Sequence, residues 1–203
     1  LLSRGLGDVY KRQDNMLAKA EKTYPYLKFQ KCLIPDELDS LENYDLIFSN
    51  ACLHWIPDHE SLLPKLMSNL NDGGMLAVQM PLVQEAMFYK LLNRLISEGK
   101  WKKLSVIHNF HNLTPNETYD ILSRVSNDIT MWDTTYYHVV PSHDSVIEWY
   151  KGSGLRPYLE MLSPAEKSEF LSDLLAVIKR EYPVQADDRV ILKMPRLFFT
   201  AVK

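Results

Sequence analysis

The sequence predicts an α/β fold: a doubly wound, mostly parallel sheet with a helical insertion before its last strand. Three observations carry that reading. Two short apolar runs, residues 45–50 and 75–80, flank an amphipathic stretch and end in polar or turn-forming residues. Two capping boxes, Thr114-Pro115-Asn116-Glu117 and Ser163-Pro164-Ala165-Glu166, mark later helix starts. Two β-branched and aromatic runs, 128–140 and 190–202, enclose a helical segment at about 143–187. Short apolar strands alternating with helices suit a parallel sheet with both faces covered.

The elements follow in order. Residues 14–22, with Met16, Leu17 and Ala20, form a helix that stops before Pro25. Residues 27–34 are a short strand candidate. The run 45–50 has an acidic entry and a polar exit, as expected of a strand buried on both faces. Asp58 N-caps the next helix, whose apolar stripe is Leu62, Leu63, Leu66, Met67 and Leu70. Asn71-Asp72-Gly73-Gly74 ends it with a glycine able to take the left-handed C-cap geometry. Residues 75–80 are the second buried strand, closed by Pro81. A helix is expected over 84–98, irregular chain over 99–113, and a helix from the Thr114 box to about Val125. Residues 128–140 read as a strand, and Ser142 caps a helix ended by Gly152 and Gly154. The Ser163 box launches a helix that stops before Pro183. Residues 190–202 supply a final strand or two half-strands, with Pro195 breaking the ladder.

Composition narrows the function. The net charge of -3 and a sequence pI near 6.1 argue against a nucleic-acid binder, which carries a basic stripe. No run approaches a membrane span, so no membrane partner is expected. Cys32 and Cys52 have neither zinc spacing nor a CxxC pair, and reduced thiols in the cytoplasm are the simple reading. The pair of histidines at His108 and His111 lacks a Cys or acidic partner to complete a metal set, so no metal is expected. Seven glycines in 203 residues is low for a nucleotide-binding α/β protein, which spends glycines in its first turn. Residues 1–13 resemble translated adapter sequence and read as non-native, leaving 14–203 as a partial domain.

Three segments carry a family resemblance. One runs from Tyr44 through Asn50-Ala51-Cys52-Leu53-His54-Trp55-Ile56-Pro57-Asp58-His59 and on to Gly74 and Met80-Pro81. A second is Trp132-Asp133-Thr134-Thr135-Tyr136-Tyr137-His138 with Pro141-Ser142-His143. The third joins Trp149, Gly154-Leu155-Arg156-Pro157 and Pro195-Arg196-Leu197-Phe198-Phe199. The first is similar to the fourth and fifth strands of class I methyltransferases. Together the three resemble the trans-aconitate 2-methyltransferase family. The resemblance implies S-adenosyl-L-methionine as cofactor, a small-molecule polycarboxylate as substrate and a monomeric enzyme. It also implies departures. The family's glycine-rich loop and ribose-holding acid are absent, and Cys32-Leu33 stands where the family has Ala-Asp. Residues 1–203 by themselves are therefore expected to be inactive.

Ligands of open α/β sheets bind beyond the carboxyl ends of the strands. By the resemblance, Asn50, Ala51, Leu53 and Trp55 lie along the cofactor, where an aromatic face suits a sulfonium. For Trp55, packing on the core as a helix-start staple is an equal alternative. His54 is a donor to a substrate carboxylate, or a cap on the following helix. Arg156 is the first choice for the acid, because guanidinium takes a carboxylate through two parallel hydrogen bonds. Its alternative is an ion pair with Glu160. Tyr137, His138 and His143 are further candidates. Tyr136 and Tyr137 face opposite ways on a strand, so one at most reaches a common site. Arg196 divides between an ion pair and a ligand contact. No catalytic base is expected, since a carboxylate is already ionised at neutral pH. The rival readings are the malonyl carrier-protein methyltransferase of biotin synthesis and a non-catalytic interaction module.

Overall fold

The structure is a computed structural model that describes residues 8–41, 43–97, 99–107 and 110–203, without the side chains of residues 8–15 and Ser40. Residues 1–7 of the adapter-like stretch, and His108, lie outside it. Residues 8–13 belong to the first helix, α1 (Asp8–Thr23). The remaining elements are β1 (Tyr44–Asn50), α2 (His59–Ser68), β2 (Leu70–Pro81), α3 (Met87–Ser97), α4 (Pro115–Leu122), β3 (Asp128–Val140), α5 (His143–Lys151), α6 (Arg156–Glu160), α7 (Pro164–Glu181) and β4 (Val190–Val202). The four strands form one sheet in the order β1-β2-β4-β3. β1 and β2 are parallel. β2 runs against β4, since Gly73 N–H donates to the Lys203 carbonyl at 3.0 Å and Leu82 N–H to the Pro195 carbonyl at 3.0 Å. The sheet is thus mixed. No helix among the described residues is long and apolar enough to cross a membrane.

The chain divides into two compact units. The first comprises Leu1–Met80, Leu113–Met131 and Phe198–Lys203. Its α2 follows the predicted logic. Asp58 caps it by accepting from Ser61 N–H at 3.3 Å, and Leu62, Leu63, Leu66 and Met67 are buried. The helix stops at Ser68, earlier than expected, with Asn69 as C-cap and its side-chain amide donating to the Leu38 carbonyl at 3.0 Å. Gly73 and Gly74 consequently lie inside β2. They form a bulge, because pairing steps from Tyr44↔Leu70 to Leu46↔Met75, leaving 71–74 opposite Asp45 alone. Gly73 takes φ 77°, and a Cβ on Gly74 would stand 2.8 Å from the Asn71 carbonyl oxygen. The Lys203 ammonium donates to the Ser68 carbonyl at 2.8 Å, a favourable charge at a helix C-terminus.

Two expectations for this unit fail. Residues 27–34 form no strand. Near the end of the run the Leu33 backbone is engaged locally, its N–H donating to the Glu37 carboxylate at 2.7 Å and its carbonyl accepting from Glu37 N–H at 2.8 Å. β1 is not buried on both faces: Leu46 is 56% and Phe48 68% exposed. It stands at the end of the strand order, and alternation puts both side chains on the same, largely exposed face.

The second unit comprises Pro81–Asn112 and Trp132–Leu197. Three helices, α5 to α7, lie between β3 and β4, and α6 is one the sequence reading missed. The core takes Phe88, Leu91, Leu92 and Ile96 from α3, Phe170, Leu174 and Ile178 from α7, and Val190, Leu192 and Met194 from β4. Phe88 stacks on Tyr150 at 3.6 Å, and Trp101 meets Phe170 edge to face at 5.1 Å. Trp101 sits in a 3-10 helix, Gly99–Val106, where irregular chain was expected; its indole N–H donates to Asp173 at 2.8 Å. Both capping boxes are formed as predicted, at Thr114 and at Ser163. β4 is one strand. Pro195 costs it a donor only, and the proline carbonyl still accepts from Leu82.

Candidate active site at the strand tips

The parallel register pairs Asn50 with Gln79, so β1 and β2 end side by side. Ala51 N–H donates to the Gln79 carbonyl at 2.9 Å, the last rung. Ala51 then takes φ 50°, a left-handed conformation uncommon for a residue with a Cβ. That turn throws the chain out of the strand and into a 3-10 turn, Leu53–Trp55. Leu53 is buried, His54 is 4% exposed and Trp55 38% exposed. The His54 and Trp55 rings lie 4.8 Å apart and tilted by 41°. The tip therefore offers a part-open indole beside a buried imidazole.

One residue without an assigned role holds this turn. His59, buried at the start of α2, reaches back so that its Nε2 lies 2.9 Å from the Leu53 carbonyl. A carbonyl only accepts, so Nε2 carries the proton. Burial lowers the His59 pKa, against hydrogen bonds to Leu53 and Ile56 that raise it, and the ring is neutral at pH 7. The sequence signal was the histidine next to the N-cap Asp58, but only the fold shows which carbonyl it meets.

In the second unit, His138 packs on Trp149 at 4.8 Å and lies 6.4 Å from Tyr136. Tyr137 points to the other side, with the Lys193 ammonium 5.6 Å from its ring centroid. The predicted opposition of Tyr136 and Tyr137 is met. His143 Nε2 lies 2.9 Å from the Tyr182 carbonyl, which ties the start of α5 to the end of α7. Arg156 Nε donates to Glu160 at 2.6 Å, the alternative weighed for it from the sequence. An aromatic group passed over in residues 82–113 also emerges. Tyr89 stands edge to face with Tyr150 at 5.3 Å and with Phe110 at 5.0 Å.

Known proteins share this sequence and fold. A trans-aconitate 2-methyltransferase of Yersinia pestis (strain Pestoides F) is 35% identical over 189 residues, 92% of this chain and 73% of that protein. One from Escherichia coli O157:H7 is 36% identical over 191 residues, 92% of this chain and 72% of the relative. A solved structure from Bacillus halodurans C-125, provisionally described as a methyltransferase, superposes with a TM-score of 0.51 at 12% identity, covering 94% of this chain and 79% of that one. No family model matches the chain. The α/β fold with paired strand tips is that of the class I methyltransferases. Within that class the chain belongs to the trans-aconitate 2-methyltransferase family.

Proposed function

We propose that this family member is an S-adenosyl-L-methionine-dependent O-methyltransferase that esterifies a carboxylate of a small polycarboxylic acid, trans-aconitate. The observation that carries the reading is identity of about a third along 92% of the chain with proteins named for that activity. In this reading Asn50, Ala51, Leu53 and Trp55 form the cofactor side. His54, Tyr137, His138, His143 and Arg156 are the acceptor-side set to test, and the protein acts as a monomer.

The side chains at the tip fit such a cofactor. The part-exposed Trp55 indole offers an aromatic face, which attracts a sulfonium by about 0.5–2 kcal/mol. When bound, the cofactor supplies a methyl group activated on positively charged sulfur. The chain's own task is alignment. The acceptor carboxylate is ionised at neutral pH and needs no base to make it a nucleophile. Fixing two groups in a productive geometry is worth up to about 7–11 kcal/mol, enough to carry such a reaction without acid–base chemistry. The Ala51 turn and the His59 bond to Leu53 preset the backbone on which Trp55 is mounted.

The test is an assay of the product of the complete reading frame with S-adenosyl-L-methionine and either trans-aconitate or malonyl carrier protein. Mass spectrometry is expected to find trans-aconitate monomethyl ester. Ester on the carrier protein alone would replace the acceptor, and no ester on either would remove the activity.

A further inference from the structure

β4 changes its buried side at Pro195-Arg196. Val190, Leu192 and Met194 are buried before that point, and Leu197, Phe199 and Ala201 after it. Arg196 continues the even-numbered series, whose earlier members pack with Phe88, Tyr150 and Tyr158 in the core of the second unit. It is only partly exposed. Arg94, Arg124, Arg156, Arg180 and Arg189 each pair with a carboxylate. Among the described residues none lies within ion-pair distance of Arg196. A partly desolvated guanidinium without a counter-charge is costly, and that cost falls when an anion arrives.

Two phenols of that core lie within its electrostatic reach. Its charge acts on both Tyr89 and Tyr150, whose rings meet edge to face at 5.3 Å. The pair is held from several sides. Phe88 stacks on Tyr150 at 3.6 Å, Phe110 abuts Tyr89 at 5.0 Å, and a Cβ on Gly154 would stand 2.1 Å from the Tyr89 hydroxyl. Burial raises the pKa of both phenols, so each keeps its O–H and remains a donor at neutral pH. A guanidinium within electrostatic reach of neutral O–H donors is complementary to a carboxylate.

We propose that Arg196, with the Tyr89 and Tyr150 hydroxyls beside it, is the subsite that anchors one carboxylate of the polyacid acceptor. The inference rests on the acceptor class proposed above and gives that class an anchoring residue. A polyacid held by one carboxylate keeps another free to be methylated, whereas a monoacid held here has none left. The subsite thus selects for polyacids.

Arginine labelling with phenylglyoxal, followed by peptide mapping of the full chain, tests this. Saturating trans-aconitate is expected to protect Arg196 while leaving the solvent-facing Arg189 reactive. By calorimetry, Arg196→Gln is expected to weaken trans-aconitate about 10- to 100-fold and Tyr89→Phe about 2- to 10-fold, with Arg196→Lys regaining part of the loss. Should Arg196→Gln fail to fold, protection on the unaltered chain decides. Trans-aconitate binding with Arg196 still labelled overturns the subsite and spares the acceptor reading. Protection by citrate, succinate or malonate but not trans-aconitate supports the subsite and overturns that acceptor. No protection by any of these acids overturns the subsite.

Discussion

Ala51 donates its amide to the carbonyl of Gln79 across 2.9 Å, and that bond sets the ends of β1 and β2 at one level. The chain turns out of the sheet at the same residue, so the Leu53–Trp55 turn starts where the two tips meet. Four further consequences of the structure can be measured.

Trp55 is the part-exposed aromatic side chain at the tip. Trp55→Ala is expected to weaken S-adenosyl-L-methionine binding about 2- to 30-fold, the span of a cation–π contact. Calorimetry on the product of the complete reading frame measures it. Unchanged affinity would return Trp55 to a packing role.

His59 is buried, neutral and bonded to the Leu53 carbonyl. His59→Gln is expected to cost about 1 kcal/mol at pH 7.5, where the wild type keeps its bond at no charge penalty. The unfolded imidazole binds protons below about 6.5 and the folded one only at lower pH, so wild-type stability falls as pH drops below 6.5. The gap between wild type and variant should therefore narrow between pH 7.5 and 5.5. Urea titrations at the two pH values report it, and a constant gap would show that folding does not lower the His59 pKa.

Glu166 closes the Ser163 capping box and pairs with Lys103. The Lys103 bond leads, with Ser163 next, in holding its carboxyl down at about 2, below the ordinary 4.5. Its stabilising effect is complete above pH 4.5 and fades as pH falls toward 2. Glu166→Gln should flatten the acid limb of a thermal-stability profile in that window. An unchanged limb would mean the box and the ion pair contribute nothing in solution.

Gly154 leaves room for the Tyr89 hydroxyl. Gly154→Ala is expected to destabilise by about 1–3 kcal/mol, as overpacked sites do. Tyr89→Phe removes the nearest atom, so the double variant should lose less than the sum of the two changes. Simple additivity in denaturant unfolding would show that the two residues do not touch.

Local chemistry made much of this fold readable. The proline-headed boxes at Thr114 and Ser163 give both helix starts, because the capping atoms lie within four residues of one another. Asp58 is legible for the same reason. The strand at 128–140 shows in its own β-branched and aromatic composition. Where the outcome depended on a distant partner, local signals misled. Gly73-Gly74 looked like a helix cap and serves as a bulge, since Lys203 and Asp45 lie across from it. The apolar run of β1 looked buried, but composition cannot tell an edge strand from a central one. Arg156 and Arg196 were separable only in three dimensions, one pairing with Glu160 and the other acting electrostatically on two phenols.

The sequence alone determined the α/β class, most element boundaries and the two strand ends that a ligand site would use, because propensity, capping and apolar periodicity act over a few residues. Only the tertiary structure decided that those ends are level, that His59 secures the turn between them, and which of the described arginines lacks a counter-ion. Those are relations between residues far apart in the chain, and their energy exists only once folding brings the groups within hydrogen-bonding or Coulombic reach.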